Sequence, residues 1–346
     1  MNSSSSSKIF SLAAVLDKSF SPLKISQIEI PEVLEGRQVR VKMLTTSLCG
    51  SQIGEIDAVK GPDVYLPHLL GHEGVAEVVE VGPEVSRIGV GQRVILHWMK
   101  NSEPETENPK YKLDGLPLNA GPIATFSETA IISENRMTAI NSTFGDVELS
   151  FIGCGVLTSY GVLKNDLEVK PVDSLLVIGA GAIGLLSIQV ALAMGLKNIH
   201  VSDVNSAKVQ FAHTNFGVQV VDIEDKRSHL NFDKIIDTTG NVKVIERAYE
   251  LLNYQGVLCL VGVTPAGNKI LIDPMPLHYG RKIRGSYGGG VLPARDIPSI
   301  LRLMLDHGFE PWKVSSRSFN LSEINEAIAG IRSGEIIGKI PIVVQN

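Results

Sequence analysis

The chain has 346 residues, of which 44% are hydrophobic and 20% charged, enough apolar material for about two ordinary soluble domains. A formal net charge of −5 gives no electrostatic footprint for nucleic acid or an anionic membrane surface. Three cysteines (Cys49, Cys154, Cys259) are too few for a disulfide framework, which points to a reducing, cytoplasmic setting.

The serine-rich start, 2–7, reads as disordered. Ile9–Leu16 reads as a first strand rather than a signal segment, because no positive stretch precedes it and Asp17-Lys18 cuts it short. Through about Phe151 the pattern is β-rich, with alternating runs such as 39–44, 75–81 and 94–98 between Gly and Pro. This half holds Cys49 (in LCGS), His72 (in GHEG) and Cys154 (in IGCG). Two thiolates and an imidazole, with a fourth position left open, form a catalytic zinc set. Each also has an ordinary reading as a core residue, and spacing alone does not bring the three together.

The segment 175–196 (LLVIGAGAIGLLSIQVALAMGL) is the most informative. Gly179-Ala180-Gly181-Ala182-Ile183-Gly184 follows a short apolar run and opens a long apolar helix, and Asp203 lies 19 residues past Gly184. That is the Rossmann phosphate-binding pattern in its proper surroundings. Gly179 allows the tight turn, Gly181 lets the backbone approach a pyrophosphate, and Gly184 lets helix pack on strand. The helix N-terminus offers N–H groups and partial positive charge to the phosphates. The segment has 22 uncharged residues, long enough to span a bilayer. Three glycines crowd its first third and no basic cluster flanks it, so a helix covering a parallel sheet is the better reading.

Strand-like runs at 175–178, 199–203, 218–222, 234–237, 257–261 and 283–285 alternate with helical patterns at 182–194, 206–216 and 243–252. That predicts a doubly wound parallel sheet of the α/β class. Amphipathic helices at 297–305 and 321–331 follow, the second with Ser322 as N-cap and Gly334 as stop, and a last strand at 340–344 returns to the first domain.

The chain resembles a zinc-containing alcohol dehydrogenase of the medium-chain dehydrogenase/reductase family, from about Ser11 to the end. The family's zinc signature, Gly-His-Glu-x-x-Gly-x5-Gly-x-x-Val, appears as Gly71-His72-Glu73-Gly74-Val75-Ala76, then Gly82 and Val85, with Ala76 in place of a glycine. The resemblance implies a β-rich GroES-like catalytic domain at 1–155 and 289–346, and a Rossmann dinucleotide-binding domain at 156–288. It implies that Cys49, His72 and Cys154 hold one catalytic zinc, with Glu73 as the acid behind the metal and Ser51 as the hydroxyl that accepts the substrate proton. Thr158, the turn Gly179, Gly181, Ala182, Ile183 and Gly184, and Asp203 with Lys208 on the adenosine ribose would hold the cofactor. Trp98 and Phe126 would line the substrate pocket. The implied activity is hydride transfer between an alcohol and NAD, by an assembly of two or four copies acting on a small molecule. Asp203 favours NAD because a carboxylate bonds a ribose 2′-hydroxyl but repels a 2′-phosphate.

The departures are informative. The family's four-cysteine structural zinc lobe falls at 99–121, a segment without cysteine. Gln52 stands where relatives often carry an aspartate that orients the zinc histidine, and a neutral amide polarises His72 less. Gly54 replaces a relay histidine, so protons leave through Ser51, the ribose hydroxyl and water. Gly50 replaces a pyrophosphate-binding arginine of some relatives, whose charge Lys339 could partly supply. His97 either reaches substrate or ties a strand end. Cys259 reads as an inert core thiol, the charged loop 103–114 as solvated surface or subunit contact, and Tyr287-Gly288-Gly289-Gly290 as either a nicotinamide border or a plain turn. Alternatives to a simple alcohol dehydrogenase are a polyol, sugar or cyclitol dehydrogenase, a zinc-free enone or quinone reductase, and a non-catalytic NAD-binding protein.

Overall fold

The computed structural model describes residues 8–59, 61–225, 230–315 and 317–344, so the serine-rich start lies outside them. The chain forms two compact units. The first runs to Cys154 and resumes over Arg317–Ile336 and Ile340–Asn346; the second is Gly155–Ser316 with Ile337–Lys339.

In the first unit the strands are β1 (Ile9–Leu16), β2 (Lys24–Ile30), β3 (Gln38–Leu48), β4 (His68–Leu69), β5 (Gly74–Val81), β6 (Arg93–Leu96), β7 (Tyr111–Leu113), β8 (Leu116–Leu118), β9 (Thr129–Ser133) and β10 (Met137–Ala139). A short helix, α1 (Gly50–Ile56), follows β3, and α2 (Asp146–Leu149) precedes Cys154. One sheet has the order β4-β1-β2-β7-β8. Its β7–β8 hairpin turns at Asp114 and Gly115, both at positive φ (50° and 80°), which suits the right-handed strand twist. The other sheet centres on β3, which pairs antiparallel with both β5 and β9. Nearly every residue of β3 is buried, and Val39, Val41 and Met43 pack with Val78, Val94 and Ile132.

The second unit holds α3 (Leu157–Gly161), β11 (Ser174–Ile178), α4 (Ala182–Ala193), β12 (Asn198–Ser202), α5 (Ser206–Phe216), β13 (Gln219–Val220), β14 (Phe232–Asp237), α6 (Val242–Glu250), β15 (Leu252–Leu260), α7 (Met275–His278), β16 (Lys282–Gly285) and α8 (Pro293–His307). Its sheet has the order β13-β12-β11-β14-β15-β16 with every pairing parallel. The order reverses at β11, the topological switch point beside which doubly wound sheets bind ligands. Asn205 and Asn241 cap α5 and α6 through their side-chain oxygens, and Gly217 ends α5 in the left-handed region.

The tail returns to the first unit. There β17 (Phe319–Asn320), α9 (Ile324–Ser333) and β18 (Ile340–Val343) form, with β18 antiparallel to β3. The Asn325 side chain also bonds the Leu23 backbone in both directions, at 2.9 Å each.

Two expectations change. Residues 289–316 belong with the second unit, because α8 packs on α3 and α4 through a buried face that includes Ile297, Ile300 and Met304. The helical turn before α9 is capped by Asn320, not Ser322, and Glu323 accepts the Asn320 N–H at 2.7 Å. The span 175–196 forms β11, a turn and α4, as its strand, glycine and helix pattern predicts. A different helical run, 146–166, is long and apolar enough to cross a membrane, but 83% of it is buried inside the fold, as in a core helix.

Candidate active site

Three elements of the first unit deliver the predicted ligands. Cys49 is the first residue past β3 and the N-cap of α1, in extended backbone (φ −114°, ψ 154°). His72 lies between β4 and β5. Cys154 sits in a π-helical turn, Ile152–Val156, a widened form that recurs at functional sites. Gly153 is what admits this turn, since a Cβ there would lie 2.0 Å from the Leu96 carbonyl oxygen on β6.

The ligand atoms of Cys49, His72 and Cys154 all lie within 4.8 Å of one another, the one such group among the described residues. A tetrahedral zinc with Zn–S of about 2.3 Å and Zn–N of about 2.0 Å spaces its ligands by roughly 3.5–3.8 Å. The donor set and its spacing therefore fit zinc.

Two buried polar side chains brace the ligands. Glu73 is fully buried and accepts the Cys154 backbone N–H at 2.9 Å through Oε2. Its own carbonyl accepts the Thr46 hydroxyl at 2.7 Å. Gln52, 1% exposed, accepts the Cys49 backbone N–H at 2.9 Å through Oε1, while its Nε2 meets Nδ1 of His72. With Nδ1 so engaged, Nε2 is the ring atom left for a metal.

Ser51 is exposed on the first turn of α1, two residues from Cys49. Trp98 is half-buried just past β6, and its carbonyl accepts from Arg136. Phe126 is 1% exposed inside a cluster with Leu16, Leu48 and Leu70, a core position rather than an open pocket wall. His97 is likewise structural. It is fully buried, with Nδ1 2.6 Å from the Met99 carbonyl oxygen and Nε2 3.0 Å from the Thr138 hydroxyl, and burial pushes its pKa down to about 4. Burial also pushes the Cys259 thiol up to about 12, as suits an inert core thiol.

In the second unit the glycine turn connects β11 to α4. Gly179 has φ 96°, and a Cβ at Gly184 would lie 1.8 Å from the Gly179 carbonyl oxygen, so both positions demand glycine. A Cβ at Gly181 would meet nothing within 4 Å. Among the described residues no side chain caps α4, so Ala182 and Ile183 present the first N–H groups of an uncapped helix. Asp203, half-buried at the end of β12, accepts the Ala180 N–H at 2.7 Å and the Asn205 N–H at 2.8 Å. It is followed by a fully exposed Val204 and carries no basic neighbour at 204–206. Lys208 is half-buried in the first turn of α5, and Thr158 is buried in α3. Lys339 is fully buried, its Nζ 3.4 Å from where a Cβ of Gly155 would lie.

Sequence reasoning passed over Thr238 and Asp237. The Thr238 hydroxyl donates to the carbonyls of Ile178 and Gly179, 3.0 and 3.1 Å away, and so fixes the glycine turn. Asp237 is fully buried; burial raises its carboxyl pKa, opposed by the Thr239 hydroxyl and the Thr239 and Gly240 N–H groups. Their position at the carboxyl end of β14, beside the turn, was the available signal.

Residues 35–142 match the family model of the alcohol dehydrogenase GroES-like domain, and residues 182–306 match that of the zinc-binding dehydrogenases. The chain is 29% identical to a putative S-(hydroxymethyl)glutathione dehydrogenase 2 of Schizosaccharomyces pombe, covering 94% of each chain. It is 28% identical to an alcohol dehydrogenase class-3 of Cereibacter sphaeroides, over 95% of this chain and 99% of that one. In fold it is similar to an alcohol dehydrogenase zinc-binding domain protein from Burkholderia ambifaria, with TM-score 0.89 and 23% identity over 98% of this chain and 100% of that one. Benzyl alcohol dehydrogenase from Acinetobacter calcoaceticus gives TM-score 0.87 and 23% identity over 97% and 100%.

Proposed function

This chain belongs to the zinc-containing alcohol dehydrogenases of the medium-chain dehydrogenase/reductase family, a zinc- and NAD-dependent oxidoreductase of small molecules, and we propose the residues by which it interconverts an alcohol and its aldehyde or ketone. The observation that carries the proposal is the convergence of Cys49, His72 and Cys154 from three separated segments. A zinc-free reductase has no need of that set. Bound there, zinc supplies a Lewis acid for the substrate oxygen, and NAD supplies the hydride acceptor.

The chain's own residues do the rest. The two cysteines bind as thiolates and His72 as neutral imidazole. Glu73 and Gln52 fix the backbones of Cys154 and Cys49, which holds the sulfurs in place. Ser51 receives the proton that the alcohol loses. Gly181, left open, lets a pyrophosphate approach the N–H groups of Ala182 and Ile183, with Gly179 and Gly184 shaping the turn. Asp203 has lone pairs beyond those given to Ala180 and Asn205 and accepts from a ribose hydroxyl, Lys208 completes the adenosine contact, and Thr158 contacts the cofactor. On this assignment the first unit is the catalytic domain and the second the dinucleotide-binding domain.

Self-association is supported by the edge of the parallel sheet. Among the described residues strand β16 has no further strand beside it, and Tyr254, Leu271, Met275, Leu277 and Tyr279 are exposed in the same unit. Those features support a homodimer or homotetramer. Cys49, Cys154 and Cys259 form no disulfide with one another, which supports a cytoplasmic site of action. The direct test is a panel of simple alcohols, polyols and carbonyls followed by NADH absorbance, together with zinc content. A metal-free protein that turns over none of them overturns the proposal.

A further inference from the structure

The register of the parallel sheet brings three residues abreast just past the strand ends. Ile178 on β11 pairs with Ser202 on β12 and with Asp237 on β14, so Gly179 has Asp203 on one side and Thr238 on the other. Asp203 accepts the Ala180 N–H at 2.7 Å. Thr238 acts on the carbonyls instead. Its hydroxyl donates to this pair of acceptors, 3.0 Å from the Ile178 oxygen and 3.1 Å from that of Gly179. The same Oγ1 stands 2.2 Å from where a Cβ of Gly179 would lie, and so takes up the space that the glycine leaves. Thr238 is itself held by its neighbours. Its N–H donates to the Ile178 carbonyl at 2.9 Å. The buried Asp237 carboxylate accepts the Thr239 N–H at 3.1 Å and the Thr239 hydroxyl at 2.6 Å through Oδ1, and the Gly240 N–H at 3.0 Å through Oδ2. Gly240 has φ 64°, and a Cβ there would lie 2.6 Å from the Val263 carbonyl oxygen, so the loop that carries Thr238 is packed without slack.

We propose that Thr238 is a positioning residue for the cofactor pyrophosphate, an inference that rests on the dinucleotide assignment above. It acts through the turn. Fixing the Gly179 carbonyl fixes the peptide that leads into Gly181, and with it the direction in which the Ala182 and Ile183 N–H groups point. Asp203 and Thr238 clamp the turn from the two strands that flank β11, one through an N–H group and the other through carbonyls. A turn held in one geometry loses little freedom when a pyrophosphate binds, and affinity gains by that amount.

The test compares wild type with Thr238→Val and Thr238→Ser in the full chain, by NADH fluorescence titration, competition with ADP-ribose, and urea denaturation. In Thr238→Val, affinity for both ligands is expected to fall at least about tenfold, the equivalent of one lost hydrogen bond to a charged group. Thr238→Ser keeps the hydroxyl and should bind both within about twofold of wild type. Adenosine, which has no pyrophosphate, should bind wild type and Thr238→Val alike in an NMR titration. Should the valine variant fail to fold, Thr238→Ala carries the same expectations, since it removes the hydroxyl without setting a larger apolar group against two carbonyls. A residue that only supports the fold would lower the urea midpoint and leave native NADH affinity at the wild-type value, and that result overturns the proposal. An equal loss in Thr238→Ser overturns it too, because the hydroxyl is then not the acting group, and so does an equal loss with adenosine, which would mean direct contact with the nucleoside. Failure of wild type to bind NADH, or wild-type NADH affinity in Gly181→Ala, overturns instead the cofactor assignment beneath it.

Discussion

The glycine turn allows a paired prediction in which one substitution at two positions gives different outcomes. At Gly184 an added Cβ lies 1.8 Å from the Gly179 carbonyl oxygen, and 3.0 Å from its carbon. Ordinary contact begins near 3.4 Å, so the first turn of α4 must move by about 1.5 Å, at an overpacking cost of about 1–3 kcal/mol. A shift of that size stretches a phosphate hydrogen bond of about 2.9 Å beyond the useful limit, and each such bond to a charged group contributes about 1.5–3 kcal/mol. Gly184→Ala should therefore lower both stability and NADH affinity, the latter by at least about tenfold. At Gly181 an added Cβ meets nothing within 4 Å, and its backbone (φ −82°, ψ −167°) suits any residue. Gly181→Ala should cost less than about 1 kcal/mol of stability, the loss of a good N-cap residue. Its NADH affinity should still fall at least about tenfold, because the methyl occupies space assigned to the pyrophosphate. Urea denaturation and NADH fluorescence titration on the same preparations separate the two effects. Wild-type NADH affinity in Gly181→Ala would refute the assignment of the turn.

Metal analysis should find about one zinc per chain, and Cys49→Ser should lose it while still binding NADH; a reproducible value of two would reveal a second site. Ser51→Ala should fold, keep its zinc and bind NADH normally while turnover falls by about 10²–10⁴-fold, and an undiminished rate means that the proton leaves by another route. Asp203→Ala should shift preference toward NADP by at least about tenfold, or 1.4 kcal/mol, and cost about 1 kcal/mol of stability through the Ala180 and Asn205 bonds; a parent enzyme that already prefers NADP contradicts the role of Asp203. His97 is held neutral by burial, with its pKa pushed from 6.5 to about 4. The unfolded chain takes up that proton first as pH falls, so stability present above about pH 6.5 is lost on the way to 4, by about 2 kcal/mol between pH 7 and pH 5. His97→Gln should flatten this slope in denaturation curves, and an equal slope in both proteins would be inconsistent with a buried neutral His97.

The parallel sheet was legible because each strand and helix carries its own local pattern, and the boundaries of α5 coincide with the 206–216 run. The chemistry of Gly179 and Gly184 was legible for the same reason, since a steric demand on one backbone position is written in one residue. The antiparallel half was less so. Pairings such as β3 with β18 join residues about 300 apart and leave no local trace. Cys154 was identified as a ligand only by resemblance, because the π-helical turn that presents it depends on Gly153 lying against the Leu96 carbonyl. Phe126, assigned to a pocket by resemblance, is 1% exposed and belongs to the core cluster that holds Leu16, Leu48 and Leu70. Residues 289–316, which the resemblance puts in the catalytic domain, pack in the second compact unit, where Gly289 lies tight against Gly161.

The segment 99–121, which has no cysteine, is held in place by hydrogen bonds. Its N-terminal part is stitched to the 133–137 turn by backbone-directed bonds. The Asn101 N–H donates to the Asn135 carbonyl at 2.8 Å, the Thr106 N–H to the Ser133 hydroxyl at 3.1 Å, and the Asn135 amide to the Glu103 carbonyl at 3.0 Å. Gln38 holds the Glu107 carbonyl at 3.1 Å. Its C-terminal part is a hairpin anchored by Tyr111, whose buried hydroxyl accepts the Ile131 N–H at 2.7 Å. The Arg136–Glu105 and Arg87–Glu103 ion pairs lie nearer the surface and add less, since such pairs are each worth about 0–1 kcal/mol. Arg136 matters more for its second bond, to the Trp98 carbonyl at the start of the segment. None of these contacts is made by the side chains of Cys49, His72 or Cys154, so the segment is held by hydrogen bonds separate from the ligand set.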